Sequence, residues 1–170
     1  MFSIQYVSLK YQKKNMKKLF LTLMVCLFAA VGMQAQEGKW GIGLNLGYGT
    51  NVLDGQAFLG GRVLYDIDDR FDVVGSFNRY FKEYEAKFWD INADFHWNVY
   101  HHSLFEVYPL VGIGILHGKA GDWKENWFAV NLGGGIMFNL TDHWKLGAEL
   151  KGQIMSDSQF VPLVTAMYRF

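Results

Sequence analysis

The sequence predicts an all-β chain: an eight-stranded antiparallel up-and-down transmembrane β-barrel, preceded by a cleavable signal peptide. Three observations carry that expectation. From Lys39 onward apolar side chains recur at every second position, the period of a strand and not of a helix. One of the two alternating faces carries more large aromatic and aliphatic side chains than an eight-stranded interior can hold, so that face meets lipid. The first 35 residues have the composition of a secretory leader.

The leader reads from Met16. Met16-Lys17-Lys18 is a basic start, Leu19 to Val31 is an almost wholly apolar run, and Gly32-Met33-Gln34-Ala35 leads to a cleavage point placed after Ala35. The run is shorter than the roughly 20 residues of a membrane-spanning helix. Residues 1–15 are read as a start-site extension or a long n-region, 16–35 as the signal peptide and 36–170 as the barrel domain. The chain has 170 residues with 16 basic and 16 acidic groups, but they are unevenly placed. Five lysines and no acid fall in residues 1–35, which leaves 11 basic and 16 acidic groups beyond, a net charge of −5. An acidic mature chain argues against nucleic-acid binding. The single cysteine, Cys26, lies in the leader, so the domain has no disulfide, cysteine-zinc site or thiol chemistry.

The strands follow in order. Trp40, Ile42, Leu44, Leu46 and Tyr48 alternate with Gly41, Gly43, Asn45, Gly47 and Gly49. Leu59, Val63, Tyr65 and Ile67 oppose Phe58, Gly60, Arg62 and Asp66, and Phe71, Val73 and Phe77 oppose Asp72, Ser76 and Asn78. The clearest segment is 89–99, with Trp89, Ile91, Ala93, Phe95, Trp97 and Val99 against Asp90, Asn92, Asp94, His96 and Asn98. Phe105, Val107, Val111, Ile113 and Ile115 oppose Glu106, Tyr108, Gly112 and Gly114. Phe128, Val130, Leu132, Ile136 and Phe138 oppose Ala129, Asn131, Gly133, Gly135 and Met137. Trp144, Leu146, Ala148, Leu150 and Ile154 oppose Lys145, Gly147, Glu149, Lys151 and Gln153. The last segment sets Phe160, Val164, Ala166, Tyr168 and Phe170 against Thr165 and Arg169. Turn-forming clusters are expected at 50–56, 66–70, 82–87, 100–104, 117–126, 139–143 and 156–159.

With an even strand number both ends of the chain lie on one side of the barrel. The outward residues nearest that side are Trp40, Tyr65, Phe71, Val99, Phe105, Phe138, Trp144 and Phe170, all but one of them aromatic. Such girdles mark the interfaces of transmembrane barrels. From Trp40 to Tyr48 the strand advances about 27 Å, or about 20 Å after a tilt near 40°, close to the expected apolar band. Residues 59–71 also align with 132–144 at a constant offset of 73: Leu59-Gly60-Gly61-Arg62-Val63-Leu64-Tyr65 with Leu132-Gly133-Gly134-Gly135-Ile136-Met137-Phe138, each followed by an Asp-containing turn.

Ser76-Phe77-Asn78-Arg79-Tyr80-Phe81, Trp89-Asp90-Ile91-Asn92, Val107-Tyr108-Pro109-Leu110-Val111-Gly112-Ile113-Gly114 and Val130-Asn131-Leu132-Gly133-Gly134-Gly135, with Leu140-Thr141-Asp142 and Ile154-Met155-Ser156-Asp157, occur in an order that resembles the eight-stranded outer-membrane β-barrel family of OmpA/OmpX type. The form is the porin-like one common in Bacteroidetes-like bacteria, and the resemblance covers about 39–170. It implies the outer membrane of a Gram-negative cell, periplasmic termini and no shared enzymatic activity. It also implies that Tyr168 and Phe170 form the terminal signal read by the barrel-assembly machinery, although Thr165 stands where that signal usually has glycine.

Sites are then weighed on the inward face and at the outer rim. The inward face holds Arg62, Lys145, Lys151 and Arg169 with Asp66, Asp72, Asp90, Asp94, Glu106 and Glu149, and His96 among them. Buried charges must be paired and hydrogen-bonded, so these are expected to form an ionic plug, with Arg62 facing Glu149 or Asp94. Paired carboxylates also suit acid–base chemistry or a proton path. His101-His102 lack further close ligands for a metal. His117, Asp122, Ser156 and Ser158 supply hydrolase-type groups at the outer rim without a recognisable motif. Lys119, Trp123 and Lys124, in an expected outer loop at 117–126, are candidates to contact lipopolysaccharide head groups or a protein. The sequence therefore points to a structural or interaction role for an outer-membrane barrel with a closed lumen. The alternatives are a narrow pore for ions or small solutes and a lipid A-modifying enzyme. No catalytic, cofactor or metal residues are assigned; the partners expected are membrane lipid and the assembly machinery, with any protein partner unspecified.

Overall fold

In this computed structural model the described residues are 40–52, 54–81 and 86–170. The expected signal peptide at 16–35 and residues 1–15 lie outside them. Among the described residues the chain forms β1 (Trp40–Gly49), β2 (Gln56–Asp68), β3 (Phe71–Tyr80), β4 (Lys87–Trp97), β5 (Tyr100–His101), β6 (Phe105–Ala120), β7 (Trp123–Asn139), β8 (Trp144–Ile154) and β9 (Gln159–Arg169). Sequence neighbours other than β4 and β5 pair antiparallel, β1 also pairs with β9, and β4 pairs with β6. The sheet thus closes on itself through eight strands. β5 is a two-residue flap on the β4–β6 connection, where Tyr100 and His101 pair with Val107 and Glu106.

The registers fix the shape. Paired residues followed round the wall from Asn45 run through Gly60, Asn78, Asp90, Leu116 and Trp127. Continued through β8 and β9, the same registers return to the first strand ten residues further on. Eight strands with that stagger tilt by about 40° and leave an interior that side chains just fill.

The facing is the reverse of a soluble protein. Leu44, Ile91, Ile113, Leu132, Leu150 and Phe160 are exposed, while Arg62, Asp94, Asn131, Glu149 and Lys151 are buried. A closed barrel with this polarity satisfies its backbone hydrogen bonds internally and offers hydrocarbon only apolar side chains. The aromatic girdle makes separate ring contacts at the rim nearest the termini. Trp40 meets Tyr65 at 4.7 Å, Phe71 meets Trp97 at 6.5 Å, Phe105 meets Phe138 at 6.3 Å, and Tyr168 lies 5.3 Å from Trp144 and 5.4 Å from Phe170.

The 73-residue echo has a physical content at this rim. Asp68 Oδ1 accepts the amides of Arg70 (2.8 Å) and Phe71 (3.0 Å), and Thr141 Oγ1 accepts those of His143 (3.3 Å) and Trp144 (2.9 Å). A short polar side chain, aspartate in one copy and threonine in the other, closes the β2–β3 and β7–β8 connections at matching positions.

One expected connection is not a loop. In place of a turn at 117–126, β6 and β7 continue as a paired hairpin to Ala120 and Trp123. Only Gly121 and Asp122 turn, with the glycine first and at φ +58°, as a type II′ turn requires. Beyond the apolar band the outward positions become Lys119, Lys124 and Asn126, so the apolar alternation that marked the strand nearer the termini disappears. Pairing nonetheless continues, because Phe88, Trp123 and Trp127 all come against the bare face of Gly118.

Candidate functional site

The candidate site is the lumen, which the inward parity of every strand builds in layers. Nearest the termini is an ionic ring. Arg169 pairs with Asp66, Lys145 Nζ lies 2.6 Å from Glu106 Oε1, and His101 Nδ1 is 3.5 Å from the same oxygen. Asn98 Nδ2 donates to Asp72 Oδ2 at 2.9 Å. A cavity of about 1060 Å³ opens here, bordered by Asp66, Asp68, Arg70, Asn98, Glu106 and Arg169. Above it Leu64, Val74, Tyr108, Leu110, Met137 and Met167 form an apolar layer.

At mid-height Arg62 donates from Nε to Asn45 Oδ1 at 2.6 Å and from Nη1 to Glu149 Oε2 at 3.1 Å. The Tyr108 hydroxyl donates to the same carboxylate oxygen at 3.2 Å, and His96 lies flat on the Tyr108 ring at 4.3 Å. Lys151 Nζ donates to Asp94 Oδ2 at 2.8 Å and stands 3.9 Å from Glu149 Oε1. Lys151 is only 1% exposed and Glu149 4%. Two cations and two carboxylates thus balance in one layer, as burial demands.

A ladder of carboxamides continues toward the end away from the termini. Asn131 Nδ2 donates to Asp94 Oδ1 (2.7 Å) and Asn92 Oδ1 (3.0 Å), and Gln153 Nε2 donates to Asn92 Oδ1 (2.9 Å). Asp90 accepts from Asn78 (2.8 Å), Asn92 (2.6 Å) and the Tyr80 hydroxyl (2.9 Å). The bare faces of Gly112 and Gly114 make room: a Cβ there would overlap Asp94 Oδ1 and Asn92 Oδ1. The end away from the termini is closed by Val52, Phe58, Tyr80, Leu116, Val161 and Leu163, with Phe88, Trp127 and Met155 against them.

Of the charged residues expected on the inward face, Arg62, Asp94, Glu149 and Lys151 meet in one cluster, with His96 beside it. Asp66 meets Arg169, and Glu106 meets Lys145. Among the described residues Asp72 and Asp90 have no cation within ion-pair distance and are held by neutral donors. Sequence reasoning placed the carboxamides inward by parity but gave them no part in the network. It gave none to Tyr80 or Tyr108 either, and the two apolar layers went unrecognised.

At the rim away from the termini Lys119 and Lys124 are Cα partners on the outward face of the hairpin. Trp123 takes the opposite face, its ring 5.5 Å from Trp127. Two of the hydrolase-type groups are engaged elsewhere: His117 Nδ1 is 2.6 Å from Asn126 Oδ1, and Ser158 Oγ donates to Met155 O at 2.9 Å within its own turn. His101 turns to Glu106, whereas His102 Nδ1 accepts the Leu104 amide at 3.3 Å, so the histidine pair diverges. At the terminus the Phe170 amide donates to Trp40 O at 3.0 Å, which closes the seam between the two end strands.

Known structures share this architecture. The N-terminal β-barrel domain of OprF from Pseudomonas aeruginosa superposes with a TM-score of 0.62 at 15% identity, over 79% of this chain and 98% of that one. Neisserial surface protein A superposes with a TM-score of 0.58 at 13% identity, over 77% and 96%. The attachment invasion locus protein Ail of Yersinia pestis, in complex with the heparin analogue sucrose octasulfate, gives 0.55 at 17% identity, over 79% and 100%. At these identities the likeness is one of fold. No curated protein matches the sequence. Residues 19–170 match the family described as the outer membrane protein beta-barrel domain, a match that takes in every strand of the barrel, and the chain belongs to that family.

Proposed function

We propose that this outer-membrane barrel is a non-conducting, non-enzymatic protein with a structural or interaction role. The observation that supports this reading is the filled lumen, in which an apolar layer lies on each side of a charge-balanced core. An ion entering from the termini side would have to displace Leu64, Leu110 and Met167 before it reached Arg62. Both termini lie in the periplasm and the β6–β7 hairpin projects outward, which agrees with the short turns and longer projections of such barrels. Outer-leaflet lipid, lipopolysaccharide included, is the partner of the projecting rim. The assembly machinery reads the terminal Tyr168 and Phe170.

Planar-bilayer recording of the purified protein tests the closed lumen. The expected result is no steady conductance; a large, steady conductance would make it a pore. Mass spectrometry of lipid A from cells with and without the protein tests the absence of enzymatic activity, with unchanged lipid A expected. N-terminal sequencing of protein from fractionated membranes should begin at Gln36, as cleavage after Ala35 requires. Recovery of a soluble protein retaining Lys17 and Lys18 would overturn the export reading.

A further inference from the structure

The registers place three lysines side by side. Lys87 on β4 is the Cα partner of Lys119 on β6, and Lys119 is the partner of Lys124 on β7. Paired residues project to the same face, here the outer one, and all three are exposed. Like charges directly opposite one another destabilise a strand pair. No ion pair with a carboxylate relieves this row among the described residues.

The rows beneath are graded. The next row holds Trp89, His117 and Asn126, with the Trp89 and His117 rings stacked at 5.0 Å, and Arg79 extends it as the partner of Trp89. Below that come Ile91, Ile115 and Phe128, all exposed. Strand rise and tilt put the lysines about 5 Å (Lys87) to 10 Å (Lys124) beyond the last apolar row. That is the depth of the headgroup layer. Across the barrel, the described residues of the β1–β2 and β8–β9 turns offer Asn51, Asp54, Ser156, Asp157 and Ser158 and no cation.

We propose that Lys87, Lys119 and Lys124 form a one-sided site for the phosphate groups of a phosphorylated outer-leaflet lipid. The Trp89–His117 row lies against the lipid's sugar or glycerol portion and the Ile91–Phe128 row against its acyl chains. The site rests on the outward orientation of the hairpin proposed above. An anionic lipid supplies the counter-charge that the described residues do not.

The test uses the folded barrel in phosphatidylcholine vesicles with and without diphosphoryl lipid A, and native mass spectrometry of the lipid retained after extraction. A lysine near an anionic surface contributes about fivefold in affinity, so the triple variant K87Q/K119Q/K124Q should lose roughly a hundredfold. Each single variant should lose about fivefold. Raised salt should weaken retention by the wild type. K87R/K119R/K124R should retain lipid A, as should R70Q at the opposite rim. Heat-modifiable gel mobility checks that each variant is folded. Undiminished retention by the folded triple variant, or equal retention of dephosphorylated lipid A, would overturn the site. Orientation is read separately on intact cells, by labelling Gly121→Cys with an impermeant maleimide. Labelling combined with undiminished retention sinks the site and leaves the orientation standing. No labelling sinks the orientation, and the outer-leaflet source with it.

Discussion

Arginine at Leu150 should prevent most of the chain from folding into a bilayer, whereas Lys145→Gln should leave it largely folded. Leu150 points outward, is 56% exposed and pairs with Gly134 on one side and Pro162 on the other. Strand rise and tilt place it near the middle of the apolar band, roughly 12 Å from either interface. An arginine at the midplane of a barrel costs about 2–4 kcal/mol, and from that depth its side chain reaches neither headgroup layer easily. Leu146 lies close to the aromatic girdle, so Leu146→Arg should cost less, about 0–1 kcal/mol. Lys145 is the next residue in the chain but faces inward, against Glu106 at the mouth of the solvent-open cavity. Folding yield by heat-modifiable gel mobility, with urea titration in vesicles, ranks the three. If Lys145 were the most sensitive position, the inside and outside of the barrel would be exchanged.

Facing was legible in the sequence because strand parity is a local property. Trp89 to Val99 needs no knowledge of its neighbours to declare one greasy and one ionisable face. The girdle was legible for a similar reason: an up-and-down chain returns to the same height at every second turn, so Tyr65 and Phe71 fall at one rim by counting alone. The apolar layers of the lumen were not legible. Phe58 and Leu163 are inward by parity, yet a phenylalanine on a polar face reads as noise until its neighbours are known. Gly47 is the Cα partner of both, and a Cβ there would meet Phe58 Cε1 and Leu163 Cβ at 2.8 Å. One bare position accommodates two large ones, and that relation exists only across the register.

The hairpin was misjudged for a different reason. Lys119, Lys124 and Asn126 are polar because their outward face lies beyond the hydrocarbon, and polar residues near Gly121 resemble a loop. What holds the strands together there is on the other face, where Phe88 and Trp127 stack at 6.5 Å over Gly118. Periodicity in apolar residues reports strands only where the two sides of the sheet differ in polarity. The choice of carboxylate opposite Arg62 was likewise out of reach of local reading. Arg62 is on β2 and Glu149 on β8, and their meeting across the lumen depends on the ten-residue stagger accumulated around the closed wall.

That meeting sets the expected cost of Glu149→Ala, about 3–5 kcal/mol of barrel stability. Glu149 Oε2 receives both Arg62 and Tyr108, and at mid-height it is one of two carboxylates against two cations. Removing it leaves Lys151 with Asp94 but leaves Arg62 with only the neutral Asn45, so a guanidinium 4% exposed is left without its counter-charge. The loss of stability comes chiefly from that stranded charge and only partly from the missing contact. Glu149→Gln keeps an acceptor and the side-chain volume but loses the charge, and should fall between wild type and Glu149→Ala. Arg62→Leu combined with Glu149→Leu removes both charges and should recover most of the loss, since an ion pair replaced as a unit by apolar groups is often neutral. Urea unfolding in vesicles measures the stabilities. Planar-bilayer recording of the same samples detects the other relief open to Arg62, admission of water, as a small leak in Glu149→Ala that the double variant lacks. A Glu149→Ala barrel as stable and as tight as wild type would mean that the Arg62–Glu149 pair does not hold the lumen closed.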